Sequence, residues 1–190
     1  MKKDPLNTLG ASNHSKKQRS ELDYYGTAPS ATLALLKRET FNQNVWEPCA
    51  GHHKMSDVLE SAGYTVKKSD IFSYDYDHDI IDFLDFQGVW SGSIVTNPPY
   101  EYAMEFAIKA LETVLLGEKV AMFLRTLFLE GQKRYEKLFK DNPPKTIYVF
   151  SKRQVCSKVD DFTEGSAVSY AWFVWEKGFS GSPEIKWIND

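Results

Sequence analysis

The chain has 190 residues, of which 42% are hydrophobic and 26% charged, values typical of a globular protein with a sizeable core. Its formal net charge of −3 excludes a uniformly basic surface, so any nucleic-acid contact would need a local basic patch. The absence of an apolar run near the ~20 residues that cross a bilayer, the polar start and two widely spaced cysteines predict a soluble, cytoplasmic protein without membrane partners.

Residues 1–22 are rich in lysine and poor in apolar side chains, and this composition predicts a flexible basic arm. Such an arm is either a solvated tail or a nucleic-acid contact, and both interpretations stay open. Residues 23–190 are predicted to form one domain, because hydrophobic periodicity continues through them without a linker or a repeat.

Helices and strands alternate along the predicted domain. The predicted strands are 44–47, 64–69, 80–84, 93–96, 119–124, 146–150 and 168–175, with a further edge strand around Ile185 and Trp187. The predicted helices are 31–39 (opened by Pro29), 55–62, 103–116 and 130–139, and the main predicted loops are 71–79 and 151–166. This order indicates an α/β fold with helices on both faces of a mostly parallel sheet.

The first two strands and the helix between them form a right-handed βαβ unit of the nucleotide-binding type. Its loop, residues 48–53, follows the strand that ends at Glu47, and Asp70 closes the second strand roughly twenty residues later. That spacing is the one expected for a carboxylate that binds ribose hydroxyls.

A second polar turn, Asn97-Pro98-Pro99-Tyr100, follows the predicted strand 93–96. Two prolines with fixed φ stiffen this turn, and the carboxyl edge of an open α/β sheet is where ligands bind. If the Asn97 side-chain oxygen and the Pro98 carbonyl each accept one N–H, they hold an amine, while Tyr100 stacks on the base that carries it. The alternative is a proline turn that merely ends a strand.

Four patches, in order, resemble motifs of the class I S-adenosylmethionine-dependent methyltransferases, specifically those that methylate adenine N6 in DNA. The patches are Tyr25-Gly26-Thr27-Ala28-Pro29, Glu47-Pro48-Cys49-Ala50-Gly51, Asp82-Phe83-Leu84 and Asn97-Pro98-Pro99-Tyr100. The small phage-type members are also similar through the strand at 172–175. The resemblance implies a Rossmann-like, seven-stranded sheet whose last strand is antiparallel, and a catalytic domain at 23–190 without a separate target-recognition domain.

The resemblance also implies a role for each matching residue, with S-adenosylmethionine as the cofactor. Tyr25 and Thr27 would cover its methionine end, Glu47 would meet its amino group, and Cys49 and Gly51 would line its loop. Asp70 would bind the ribose. Asp82 would accept a hydrogen bond from the amino group of the cofactor's adenine, and the Phe83 backbone N–H would donate to the adenine ring. Asp85 is the alternative candidate for the acceptor. Asn97, Pro98 and Tyr100 would be catalytic.

The first cofactor loop departs from the family pattern at His52 and His53, where further glycines are common. Cys49 and these histidines lack a distal pair of ligands, so no metal site is predicted. Besides adenine N6 in DNA, three alternatives stay open: an RNA adenine or cytosine N4, a glutamine side chain, or a non-catalytic DNA-binding module.

No stretch is long enough for a recognition domain. The candidate nucleic-acid contacts are the arm, residues 125–134 and the loop 151–166, and they would bind weakly and in a salt-sensitive way. A homodimer or an auxiliary partner could complete recognition.

Overall fold

The structure is a computed structural model that describes residues 25–154, 156–157 and 168–189. The predicted arm and most of the predicted loop 151–166 lie outside these residues. The strands are β1 Gly26–Thr27, β2 Asn44–Glu47, β3 Thr65–Asp70, β4 Asp79–Ile80, β5 Ser93–Thr96, β6 Lys119–Arg125, β7 Thr146–Phe150, β8 Cys156–Ser157, β9 Tyr170–Glu176 and β10 Glu184–Ile188. The helices are α1 Pro29–Leu36, α2 Lys54–Ser61, α3 Ala103–Thr113 and the short α4 Gln132–Arg134, which continues as a π-helical segment, Tyr135–Phe139.

Eight strands form one sheet in the order β10-β7-β9-β6-β5-β2-β3-β4. Strand β9 lies antiparallel between β6 and β7, and every other neighbouring pair in the sheet is parallel. The prediction of an α/β fold with a mostly parallel sheet is therefore confirmed, and the predicted seventh strand, 168–175, is antiparallel as expected. The sheet has eight strands rather than seven, because the additional strand β10 joins it in parallel at the edge. Strand β10 is the predicted edge strand, and it pairs with β7.

The sheet is covered on both faces, which explains why its central strands are almost continuously apolar. Strand β9 is buried at six of its seven positions, and its side chains divide between two core clusters. Helix α3 packs in the cluster that contains Trp46 and Phe173, whereas α1 and α2 pack in the cluster that contains Phe123 and Trp172.

Three elements differ from the predicted ones. The predicted strand 80–84 is a two-residue strand followed by a 3₁₀ turn, Phe83–Asp85, because the Asp82 carboxylate accepts from the Leu84 N–H and caps that turn. The predicted helix 103–116 ends at Thr113, where Val114 becomes extended and forms a bridge with Trp90. The predicted helix 130–139 is mostly π-helical.

A two-stranded sheet was not predicted. Strand β1 pairs antiparallel with β8, with Gly26 opposite Ser157 and Thr27 opposite Cys156. This pairing joins the segment before α1 to the loop that follows β7. Among the described residues, no helix has the length and apolar composition needed to cross a membrane.

Candidate active site

The polar residues that the sequence singled out gather at one edge of the sheet. Glu47 ends β2, Asp70 ends β3 and Asn97 follows β5, and Arg125 ends the neighbouring strand β6. These strands are parallel, so their carboxyl ends meet at the same edge. The chain thus brings three carboxylate or amide side chains and one guanidinium to a common rim.

Asn97 is held by a contact with the N-terminal segment. Its Nδ2 donates to the backbone carbonyl of Tyr25 at 2.8 Å. Its Oδ1 is buried, and no donor among the described residues reaches it. A buried acceptor without a donor carries a desolvation cost of about 1–3 kcal/mol, so this oxygen is poised for an N–H group from a ligand. Pro98, next to it, is buried as well.

Aromatic and sulfur groups surround the ring of Tyr100. The Tyr25 and Tyr170 ring centroids lie 6.0 and 5.9 Å from the Tyr100 ring centroid. The Arg125 guanidinium lies over the same ring, 4.6 Å from its centroid. The Tyr100 hydroxyl and the Cys156 sulfur are 3.4 Å apart. The predicted stacking partner of a target base is therefore supported by Arg125 and two further tyrosines.

Two ionisable groups of this aromatic cluster, Tyr100 and Cys156, are neutral near pH 7. Burial raises the pKa of Cys156 to about 11 and raises the pKa of Tyr100 well above its ordinary value. Neither group therefore supplies an anionic nucleophile, and the site is suited to positioning an amine rather than to covalent catalysis.

Glu47 is a buried carboxylate without a described cationic partner. Its side chain is 2% exposed and accepts a hydrogen bond from the Ser56 hydroxyl on α2. Burial raises the pKa of Glu47 well above its ordinary value, and the Asp70 charge raises it further. Among the described residues, no lysine, arginine or histidine nitrogen lies within 4.0 Å of this carboxylate. A cationic ligand group would stabilise its charged form.

Asp70 organises the loop that follows β2. Its Oδ2 accepts from the Gly51 N–H at 3.0 Å and its Oδ1 from the Phe72 N–H at 3.2 Å. Burial raises the pKa of Asp70, whereas these backbone donors lower it. Gly51 has a φ of +45°, a conformation that glycine adopts without strain. Asp70 therefore shapes the predicted cofactor loop directly, while its predicted bond to ribose stays a prediction.

The two histidines of this loop take up specific positions. His53 has a φ of +61°, so the chain keeps a glycine-like conformation here despite the side chain. His53 Nε2 lies 2.8 Å from His78 Nδ1, and the His78 Nε2 bonds the Phe72 carbonyl at 2.7 Å. The His52 ring stacks on Tyr76 at a centroid distance of 5.3 Å. The histidines thus fasten the 72–78 segment to the loop.

Two further residues that the sequence predicts at the cofactor site, Cys49 and Thr27, carry small uncharged side chains. Cys49 is half-buried against the core cluster that contains Trp46, and burial, with a contribution from Asp70, raises the pKa of its thiol. Thr27 is buried, and its hydroxyl has no partner among the described residues.

The two cysteines are free thiols. The described residues contain no group of three or more side chains that could hold a metal.

The two predicted registers for recognition of the cofactor's adenine, Asp82 and Asp85, differ in exposure, and the choice between them stays a prediction. Asp82 is half-buried and lies one residue beyond Ile81, whose N–H bonds the Asp70 carbonyl at 2.9 Å. Asp85 is exposed. The Phe83 side chain is buried in the core with Trp46, so only its backbone N–H remains for a ligand.

Sequence reasoning missed several contacts of the site. Ser56 beside Glu47, His78 beside His53 and Cys156 beside Tyr100 were assigned no role there. Arg125 was named only as a possible nucleic-acid contact. The pattern of apolar and polar residues carries no signal for these contacts, because each joins segments whose relative position is set by packing.

The sequence matches no protein-family model and no curated protein. Solved structures share its fold. A Listeria monocytogenes protein provisionally described as a class I S-adenosylmethionine-dependent methyltransferase is 11% identical, with a TM-score of 0.54 over 83% of this chain and 62% of its own. TrmN from Thermus thermophilus is 18% identical, with a TM-score of 0.51 over 78% of this chain and 48% of its own. The type IIG restriction endonuclease BpuSI is 14% identical, with a TM-score of 0.52 over 79% of this chain and 24% of its own.

The chain therefore has the Rossmann-like fold of class I methyltransferases. It spans less than two thirds of each of these three proteins. At such identities the shared fold does not define the substrate, which has to be argued from the site.

Proposed function

We propose that the protein transfers a methyl group from S-adenosylmethionine to the N6 amine of adenine in DNA. The observation that carries this proposal is the buried Asn97 Oδ1, which has no described donor while its Nδ2 is bound to Tyr25. An amide oriented in this way offers a fixed acceptor to an exocyclic amine at the ligand-binding edge of the sheet.

The residues at the rim fit the proposed cofactor. Buried Glu47, with no described cation beside it, suits the positively charged amino group of the methionine moiety. The Thr27 hydroxyl is buried without a described partner, so it suits the methionine end of the cofactor, as does nearby Tyr25. Cys49 and Gly51 line the loop that Asp70 shapes, and Asp70 and its neighbours would face the ribose. Asp82 and the Phe83 N–H would bind the adenine of the cofactor.

When bound, the cofactor supplies the methyl sulfonium. Asn97 Oδ1 and the Pro98 carbonyl would each accept one N–H of the target amine, which directs the amine lone pair toward the methyl group. A proton leaves the amine after transfer, so no strong base is required. Tyr100 would stack on the extruded base, a contact worth about 1–3 kcal/mol in comparable cases.

The neutral side chains of the aromatic cluster agree with this chemistry. Burial keeps Tyr100 and Cys156 protonated, so neither would compete with the target amine for the methyl group. The choice of DNA depends on the resemblance of the Asn97–Tyr100 motif and its three companion patches. The restriction endonuclease of the same fold agrees with it.

The deciding experiment offers radiolabelled S-adenosylmethionine with DNA, RNA and protein acceptors, followed by digestion of the nucleic acids to nucleosides. The expected result is label in N6-methyldeoxyadenosine, and none with the Asn97→Ala variant. Label in RNA or in N4-methylcytosine would show that the substrate is RNA or cytosine N4 instead of adenine N6 in DNA. Absence of both methyl transfer and calorimetric cofactor binding would overturn it.

A further inference from the structure

A cleft opens beside Tyr100, on the side of the sheet edge formed by the start of α3 and the segment after β6. It has a volume of about 130 Å³. Tyr100, Met104 and Phe128 give it apolar walls. Tyr100 also belongs to the proposed catalytic turn, so the cleft shares one lining residue with that turn.

The far wall of the cleft carries two cations. Lys133 and Arg134 line it, and no carboxylate among the described residues lies within 4.0 Å of either. The Arg134 guanidinium lies over the Phe128 ring, 5.3 Å from its centroid, and donates to the Leu127 carbonyl at 3.3 Å. The Arg134 Nε is buried and has no described acceptor. Neither charge is therefore neutralised within the described chain, and the Arg134 side chain is also held in place at the cleft.

The near wall carries two carboxylates, Glu101 and Glu105. The Glu105 carboxylate would repel a phosphate, so an anion would be held beside Lys133 and Arg134 instead. Carboxylates instead accept from the amino groups of bases. Apolar side chains, cations from the segment after β6 and a carboxylate from α3 together match a nucleotide. Its base would lie between apolar side chains, its amino edge would face Glu105, and its phosphate would face Lys133.

The surface around the cleft is also suited to a nucleic-acid strand. The same segment exposes three large apolar side chains, Leu127, Leu129 and Tyr135, at 61%, 43% and 55%. Exposed apolar groups interleaved with cations favour stacking of unpaired bases over binding of a small anion alone.

We propose that this cleft receives the nucleotide that flanks the target base in the substrate strand. The proposal rests on the proposed function, since it takes the target base to lie against Tyr100. It assigns to residues 126–134 the task of fixing the strand. Lys133 and Arg134 hold the flanking phosphate, and Glu105 accepts from the base.

The test compares Lys133→Ala with Lys137→Ala, which removes the same charge from an exposed lysine of the same segment outside the cleft. The probe is an oligodeoxynucleotide with a single adenine, in single- and double-stranded form. Binding is followed by fluorescence anisotropy over a range of salt concentrations. A second probe carries an uncharged methylphosphonate next to the adenine.

Lys133→Ala is expected to weaken binding about fivefold and to reduce the salt slope by about one, while Lys137→Ala changes neither. The methylphosphonate should weaken binding by the wild-type chain but have little further effect on Lys133→Ala. Equal behaviour of the two lysine variants, or full additivity of the methylphosphonate with Lys133→Ala, would overturn the cleft assignment. Calorimetric cofactor binding and wild-type methyl transfer, measured in parallel, report separately on the proposed function.

Discussion

The side-chain amide of Asn97 donates to the backbone carbonyl of Tyr25, 2.8 Å away. A carbonyl only accepts hydrogen bonds, so this contact requires the Asn97 nitrogen to face Tyr25 and its oxygen to face away. The contact therefore does two things: it anchors the segment that leads into β1, and it orients the acceptor that the proposed reaction needs.

Replacing Asn97 separates these two tasks. Asn97→Ala is expected to reduce methyl transfer about 100-fold or more, because the amine loses an oriented acceptor, while cofactor affinity changes little. Methyl-transfer rates and calorimetry measure the two effects. Asn97→Asp keeps an acceptor but cannot donate to Tyr25, so amide hydrogen exchange at Gly26 and Thr27 should accelerate. Retained transfer in the alanine variant would contradict the assigned role.

Glu47→Gln is expected to weaken cofactor binding about tenfold, because a charge-assisted hydrogen bond becomes a neutral one. The same change should stabilise the ligand-free chain. Burial raises the pKa of Glu47, so the folded state keeps its proton to a higher pH than the unfolded state, and stability falls as the pH rises above the ordinary glutamate value.

Thermal unfolding near pH 7.5, with and without S-adenosylmethionine, checks the Glu47 prediction. The melting temperature without ligand should rise by about 2–4 °C, the change that about 1 kcal/mol produces in a domain of this size. Glu112→Gln, at an exposed glutamate, is the matched control and should change neither quantity. Unchanged cofactor affinity in Glu47→Gln would remove this residue from the site.

The alternating strands and helices could be predicted from sequence because each follows from a local pattern of apolar and polar residues. The strand 146–150 was predicted with its observed bounds, and 44–47 likewise, since both are short apolar runs bounded by polar residues. The βαβ unit also placed Glu47 and Asp70 at one edge, because parallel strands end together.

The remaining contacts could not be predicted because they depend on packing between distant segments. Strands β1 and β8 have two residues each and lie about 130 residues apart in sequence, so neither has a recognisable strand period. The Arg125 guanidinium reaches Tyr100 only because β6 lies next to β5 in the sheet. Asp82 was predicted to bind the cofactor, but composition could not reveal that its carboxylate also caps the 3₁₀ turn.

The His53–His78 pair predicts a pH dependence of stability. The Phe72 carbonyl only accepts, so His78 Nε2 carries a proton, His78 Nδ1 accepts, and His53 Nε2 donates across the 2.8 Å contact. Burial lowers the pKa of His53, with a further contribution from Lys68. As the pH falls below the ordinary histidine value, the unfolded chain takes up a proton that the folded chain does not, so stability falls.

Melting temperatures near pH 7.5 and pH 5.5 test this pair. His53→Asn is the informative variant, because asparagine tolerates the positive φ at this position. The decrease in melting temperature on acidification should be at least about 2 °C smaller in His53→Asn than in the wild type. His52→Asn is the matched control and should retain the wild-type decrease. Identical pH profiles for all three proteins would exclude His53 as the titrating group.

Tyr100 is expected to act through its ring rather than its hydroxyl. Burial raises the pKa of Tyr100 well above its ordinary value, and the hydroxyl contacts the Cys156 sulfur and the Tyr170 side chain. Tyr100→Phe should therefore keep kcat/KM within about threefold, whereas Tyr100→Ala should lower it by the roughly 1–3 kcal/mol of a base–aromatic stack. Steady-state transfer to an adenine oligonucleotide measures both variants, with calorimetric cofactor binding as the control for folding. A Tyr100→Phe variant as inactive as Tyr100→Ala would assign the catalytic contribution to the hydroxyl instead.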